Sequence, residues 1–344
     1  MHRIGIRRMA IVALLALFGV ACGGAEEGTD TTVGGTADSD VVSVAIIMPS
    51  EINDLSWSQQ GYTGLNALQE RGLIEFAYSE SVAEDAASAS RVLRGYAEEG
   101  YDLIIAHSFP YQDAVFEVAE EFPEINFAWP NAGLDRTAPN LSGYDERFYE
   151  AEYLIGILAG GVTESGVLGG VGAFDIPECH SMFAAFELGA KTVRDDITQI
   201  NAYTGDWLDI VKASEAVIAQ ADQGADVFVT CGSSLAQAAI TTTKERDISA
   251  VGFVGDMSAI APEGTLASVV WNLEGMFELM VNDVANDTFM PGKIYRPGVP
   301  EGIVTVGLNP DYGKEIPQEV MEQYEQAQAD IESGTFEVPF IPEG

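Results

Sequence analysis

The sequence predicts an α/β protein of two doubly wound parallel-sheet lobes with a ligand cleft between them. Three observations lead there. From residue 41 onward, short apolar runs alternate with stretches of helical spacing, the pattern of parallel strands joined by crossover helices. The rhythm breaks near residue 145 and then restarts, giving two halves of one kind. About 300 residues are available to fold, too many for one core and suited to two domains.

In the first half, Val42–Met48 is an apolar run, interrupted only by Ser43 and closed by Pro49, as expected of a strand buried on both faces. Ser58–Gly72 follows at helical spacing, with Gly72 as its stop. Phe76–Ser79 reads as a short strand, Glu84–Glu99 as a helix ended by Gly100, and Asp102–Ala106 as a strand. Gln112–Phe122 is a helix and Ile125–Trp129 a strand. The second half opens with a long helix over Tyr149–Val162. Strand Val167–Ala173, helix Ser181–Val193, strand Gln199–Tyr203 and helix Trp207–Gln223 follow. Then come strand Asp226–Thr230, helix Ser234–Glu245, strands Ala250–Val254 and Leu266–Trp271, helix Glu274–Asp287 and an acidic C-terminal helix. An architecture of this kind crosses between lobes three times. The first lobe is therefore assigned residues 41–146 with 273–297, and the second 147–272 with 298–340.

Residues 1–21 have a basic start (Arg3, Arg7, Arg8), an apolar run over Met9–Val20 and small residues at the exit, which is the plan of a secretory signal peptide. The run is about a dozen residues, too short to span a bilayer as a helix. Cys22 directly after the small residues resembles a bacterial lipobox. That resemblance implies cleavage before Cys22, diacylglycerol on its thiol and a place on the outer face of the cell membrane; an ordinary signal with a chance cysteine is the alternative. Residues 22–40 hold five glycines and five acids in the eighteen positions after Cys22, with no aromatic. They read as a disordered acidic/Gly linker.

The chain carries 16 Lys+Arg against 54 Asp+Glu, a net charge of −38. An acidic surface repels nucleic acid and anionic head groups, so nucleic-acid binding is excluded and membrane contact is expected through the lipid alone. Enzyme signatures are missing: there is no G-x-S-x-G elbow, no H-E-x-x-H and no G-x-x-x-x-G-K-[ST]. Gly170-Val171-Gly172 follows a strand, but Asp175 stands where a dinucleotide fingerprint needs its third glycine. Three histidines make a metal site thin, and the adjacent Cys179-His180 pair points its side chains apart. No cofactor and no metal is expected. His107 ends a strand, and as a general base it would need a nucleophile and an orienting partner. Carboxylate pairs are everywhere in so acidic a chain and carry no information.

Ligands of doubly wound sheets bind at the carboxyl ends of the strands. After the first strand come Asn53, Asp54 and Trp57, just before a helix. Asp54 either caps that helix or faces the ligand. A tryptophan in a polar loop is costly unless it packs on something. Ser108 and Phe109 follow the third strand, Asp175 and Gly232 follow strands of the second half, Trp207 sits in a turn, Asp256 follows the 250–254 strand, and Trp271 ends the next. Three of the four tryptophans thus stand at strand ends or loops. They either wall a slot for a flat aromatic ligand or pack under their own loops. Cys179 and Cys231 lie past the first and third strands of their half, which are neighbours in a doubly wound sheet, so the thiols are placed to pair at the cleft rim.

These stretches resemble the basic membrane protein (BMP) family of ABC-transporter substrate-binding lipoproteins, which includes purine nucleoside receptors. The most specific match is SGYDERFYEAEYLIGILAG (142–160); YDLIIAHSFPYQDAV (101–115), GADVFV (224–229) and NDLSWSQQGYTGL (53–65) match as well. The resemblance covers nearly all of residues 41–310 and implies a periplasmic binding protein type I-like fold. In nucleoside-binding members the segment matching 268–272 reads Ser-Val-Val-Lys-Asn, and its lysine and a nearby aspartate grip the ribose. Here the lysine position is Trp271, and Asp256 fits only the later acid of that motif. The expectation is a non-enzymatic receptor that hands a small aromatic solute, a purine nucleobase or nucleoside, to an ABC permease. Trp57, Phe109 and Trp271 would stack on the ligand; Ser108, Asp256 and Asp54 would hydrogen-bond it. The alternatives are a sensor presenting the solute to a membrane receptor or kinase and, further off, a secreted nucleoside hydrolase.

Overall fold

A computed structural model describes residues 41–343 except 55–56, 132–135 and 137. The signal-peptide, Cys22 and linker expectations fall outside the described residues.

The first sheet is built on β1 (Val42–Ile47), whose residues alternate between two buried faces. Val44 and Ile46 face one cluster with Leu65 and Leu68; Ala45 and Ile47 face another with Leu93, Val115 and Phe116. This double burial is why the run is apolar apart from Ser43, whose hydroxyl donates to Asp102. Beside β1 lie β2 (Ile74–Ser79) and β3 (Leu103–Ala106), both parallel to it; β4 (Asn126–Pro130) and β5 (Leu141–Tyr144) continue the sheet. A short late strand, β11 (Ile294–Tyr295), closes the order β11-β5-β4-β3-β1-β2, parallel throughout. Three helices alternate with the early strands: α1 (Trp57–Glu70), α2 (Ala86–Glu99) and α3 (Gln112–Glu121). The expected helix at Glu84 starts at Ala86, because Asp85 caps it by accepting from the Ser88 N–H at 2.9 Å.

The second sheet has the order β12-β10-β9-β8-β6-β7. Its parallel strands are β6 (Val167–Gly172), β7 (Thr198–Tyr203), β8 (Val227–Cys231), β9 (Ser249–Gly252) and β10 (Thr265–Trp271). β12 (Val304–Leu308) runs antiparallel to β10. The expected strand over Ala250–Val254 stops at Gly252; Val254 has φ +74°, a backbone region that no strand residue occupies. The helices of this half are α4 (Phe148–Val162), α5 (Pro177–Lys191), α6 (Ile210–Ala221) and α7 (Ser233–Lys244). α5 begins four residues before the expected start, with Pro177 in its first turn. α6 begins after Trp207 because Asp209 caps it through the Lys212 N–H at 3.0 Å. α4 and α5 pack closely: a Cβ on Gly156 would collide with the Phe186 carbonyl, and one on Gly189 with that of Tyr153. α8 (Leu273–Ala285) returns to the first sheet beside α1, where Gly64 lets the Glu274 backbone approach. The C-terminal α9 (Gln318–Glu332) covers α4.

Candidate functional site

Parallel strands in register end together. Ile47 of β1 pairs with Ala106 of β3, so the segments after β1, β3, β4 and β5 emerge along one edge. The second sheet turns the corresponding edge toward it, and a cavity of about 140 Å³ lies between.

Trp57, at the start of α1, is fixed in the wall by a reciprocal pair of bonds. Its indole N–H donates to the His107 carbonyl at 2.8 Å, and His107 Nε2 meets the Trp57 carbonyl at 3.1 Å. A carbonyl only accepts, so Nε2 carries the imidazole proton and Nδ1 accepts from the Tyr144 hydroxyl at 2.5 Å. The two rings stack at 4.0 Å and 3°. Burial pushes the His107 pKa down to about 3, opposed by the bond to Trp57, so the imidazole is neutral and fully committed to holding Trp57. Gly61, one turn on, is required here: a Cβ would stand 2.8 Å from the His107 ring.

The opposite wall comes from the second sheet. Trp271 meets the Trp57 ring edge-on at 5.3 Å and 81°, stacks on Phe148 at 5.2 Å, and meets Phe253 edge-on at 5.4 Å. Trp207 packs edge-on against Phe174 and over Gly232, whose φ of +138° is a conformation that residues with a side chain rarely adopt and where a Cβ would stand 3.2 Å from the Trp207 ring. A direct hydrogen bond crosses the cleft: the Gln237 amide donates to the Asp54 carbonyl at 2.9 Å.

The charged side chains lining the cavity, among the described residues, are all acids. Asp54, Glu84, Asp145, Glu146 and Glu178 line it, with no Lys, Arg or His among the described lining residues. Asp54 caps α1, accepting from the Ser58 and Gln59 N–H groups, and the same residue lines the cavity. Ser108 donates to Glu84 at 2.5 Å. Burial raises the Glu84 pKa, the Ser108 bond opposes, and Asp206 from the other side adds to the rise. Burial pushes Asp145 up to about 7; Arg296, bonded to it at 3.1 Å, opposes, while Glu178 adds to it. Burial and then the neighbouring Asp145 push Glu146 up to about 8, against its own backbone N–H.

The structure thus brings Asp54, Trp57, Ser108, Phe109, Trp207, Gly232 and Trp271 to one cavity. Asp175 and Asp256 do not line it. Asp175 turns onto His180 beside the Tyr203 ring, and Asp256 folds back on its own turn, accepting from the Ser258 N–H at 2.9 Å. Both follow the habit of aspartate at strand ends to bond locally. Cys179 and Cys231 form a disulfide with a Cα–Cα distance of 5.5 Å, beside the cavity at Cys231. Glu84, Asp145, Glu146 and Glu178 are cavity residues that sequence reasoning missed.

The family described as ABC transporter substrate-binding protein, PnrA-like (Bmp) matches residues 41–340. A purine-binding protein of Brucella abortus is 30% identical over 305 residues, covering 88% of this chain and 84% of that protein. A protein of Haloferax volcanii named as a glucose-binding component of an ABC transporter is 30% identical over 294 residues, 85% of this chain and 73% of its own. Among solved structures, an ABC-transporter solute-binding protein of Aeropyrum pernix superposes with a TM-score of 0.73 at 20% identity, covering 87% of this chain and 94% of that one; at that identity the likeness speaks for the fold.

Proposed function

The chain belongs to this family of PnrA-like ABC-transporter substrate-binding proteins, and on that premise we propose that it closes on a small aromatic solute, a purine nucleobase or nucleoside, for delivery to its permease. The observation that carries this reading is the pair of aromatic walls, Trp57 with Phe109 on one side and Trp271 with Phe148 and Phe253 on the other. Rings lining one cavity, with Trp57 and Trp271 meeting edge-on at its wall, favour a flat guest by offset stacking on the faces left open, with a few polar groups fixing its orientation. Asp54, Ser108 and the cavity acids accept from ring N–H and amino groups. Trp271 leaves no lysine to hold a ribose, which favours the bare base. The purine-binding relative supports the same class. The reading includes a lipid tether at Cys22 on the outer face of the membrane, with residues 22–40 as spacer.

A second reading rests on the glucose-binding name of the Haloferax volcanii relative: aromatic rings also stack on the C–H face of a sugar, and carboxylates accept from its hydroxyls. One thermal-shift screen of the purified chain against nucleobases, nucleosides, amino acids and sugars separates the two. A ligand that binds only the folded state stabilises it by about 2.7 kcal/mol at a hundredfold excess over Kd. Bases or nucleosides are expected to raise the midpoint. A response to sugars alone ends the purine reading.

A further inference from the structure

We propose that Glu146 meets the ligand as a neutral carboxylic acid, donating one hydrogen bond and accepting another, so that it selects a heterocycle with an adjacent acceptor and donor and releases it in alkaline solution. The proposal rests on the heterocycle reading above.

Glu146 lines the cavity and is 2% exposed, and its Oε1 meets no hydrogen-bond partner. Its neighbours do not offer it a positive charge. Asp145 beside it already holds Arg296. Arg147 on its other side is taken by Glu150 at 2.7 Å and Glu301 at 2.9 Å. The Tyr144 hydroxyl is bonded to the neutral His107. Glu178 enters from the start of α5, and Asp54 and Glu84 from the first sheet's loops. Among the described residues, every other charged group facing this space is therefore an acid or a guanidinium already in an ion pair.

A buried carboxylate with one oxygen unpartnered and no free cation beside it is expensive, and a protein avoids the cost by protonating it. The raised affinity of Glu146 for its proton, from burial and from Asp145, agrees. The form matters for selection. An ionised carboxylate only accepts, and suits an edge with two N–H donors. A carboxylic acid has one donor and one acceptor, and suits an amidine edge such as the N1 and amino group of adenine. Closing on a neutral ring adds no positive charge to a cleft where Asp145 faces Glu178 and Glu84 faces Asp206, so the proton stays.

The test is calorimetric titration of the purified full-length chain with adenine from about pH 6 to about pH 9, for the parent, Glu146→Gln and Glu146→Leu. In the parent, affinity should fall toward about tenfold per pH unit above the Glu146 transition. Glu146→Gln keeps a donor and an acceptor but cannot ionise, so it should bind near the parent's acidic-limit affinity and lose most of the slope. Glu146→Leu should bind weakly at every pH. A flat parent profile, or a Glu146→Gln profile with the parent's slope, overturns the proposal while leaving the heterocycle reading intact. Adenine failing to bind any variant while a sugar binds the parent removes both.

Discussion

Replacing Trp57 with alanine tests the aromatic wall where it is best defined. One face of the indole is covered by His107 at 4.0 Å, and its edge contact is with Trp271, so a guest can stack only on what remains. Stacking of a base on one aromatic ring contributes roughly 1–3 kcal/mol by alanine substitution, so Trp57→Ala should weaken purine binding about 5- to 150-fold. Stability should fall separately. The variant loses the bond to the His107 carbonyl, worth about 1 kcal/mol net, and a ring–ring contact worth roughly 0.5–1.5 kcal/mol. Trp57→Phe divides the two effects: it keeps a ring for the guest and gives up the N–H. Calorimetric titration reads affinity, and urea unfolding of the same samples reads stability. If Trp57→Ala binds with the parent's affinity, the stacking argument is wrong; if it binds weakly but Trp57→Phe is equally weak, the indole N–H rather than the ring holds the site.

Glu152 on α4 is fully buried with both carboxylate oxygens unpartnered, and burial holds its pKa well above the usual range. A carboxyl whose folded pKa is raised costs stability as pH rises through and above its unfolded value of about 4.3. Glu152→Met should therefore be roughly 1–3 kcal/mol more stable than the parent in urea at pH 8, with the gap shrinking toward pH 4; an equal gap at both would contradict the burial argument. Removing the disulfide with Cys179→Ser and Cys231→Ser opens a loop of 52 residues and should cost roughly 2–4 kcal/mol in denaturant unfolding. Gly61→Ala presses a methyl against the His107 ring at 2.8 Å and should cost about 1–3 kcal/mol, with a matching loss of affinity because His107 holds Trp57; an unchanged midpoint would show that the ring can retreat.

Much of the fold is legible because parallel strands buried on both faces announce themselves. β1, β3 and β8 are apolar runs interrupted only by Ser43 and Thr230, and Gly72 and Gly100 end their helices in the left-handed region. β5 reads Leu-Ser-Gly-Tyr and β11 has two residues; such short, mixed segments gain strand form only from the neighbours they pair with. In the site, Trp57 stands out because an indole in a polar loop needs a reason. Glu84, Asp145, Glu146 and Glu178 do not, since a carboxylate carries no signal in a chain with 54 of them; only the sheet edges, brought together, set these four apart. Asp175 and Asp256 err the other way: strand-end position suggests a ligand, and a local hydrogen bond takes the side chain instead.

The edge-on meeting of Trp57 and Trp271 joins one indole from the helix after β1 to one from the second sheet. Indoles in contact share and quench their excitation, and the coupling fades as they part. Trp129, buried in the first sheet, and Trp207, in the cavity wall, emit as well, and a Trp207→Phe variant removes the second of these from the signal. On the proposed reading, in which the protein closes on its solute, the Trp57–Trp271 pair is an optical gauge of closure, and emission followed in a stopped-flow mixer would time it without a label on either lobe.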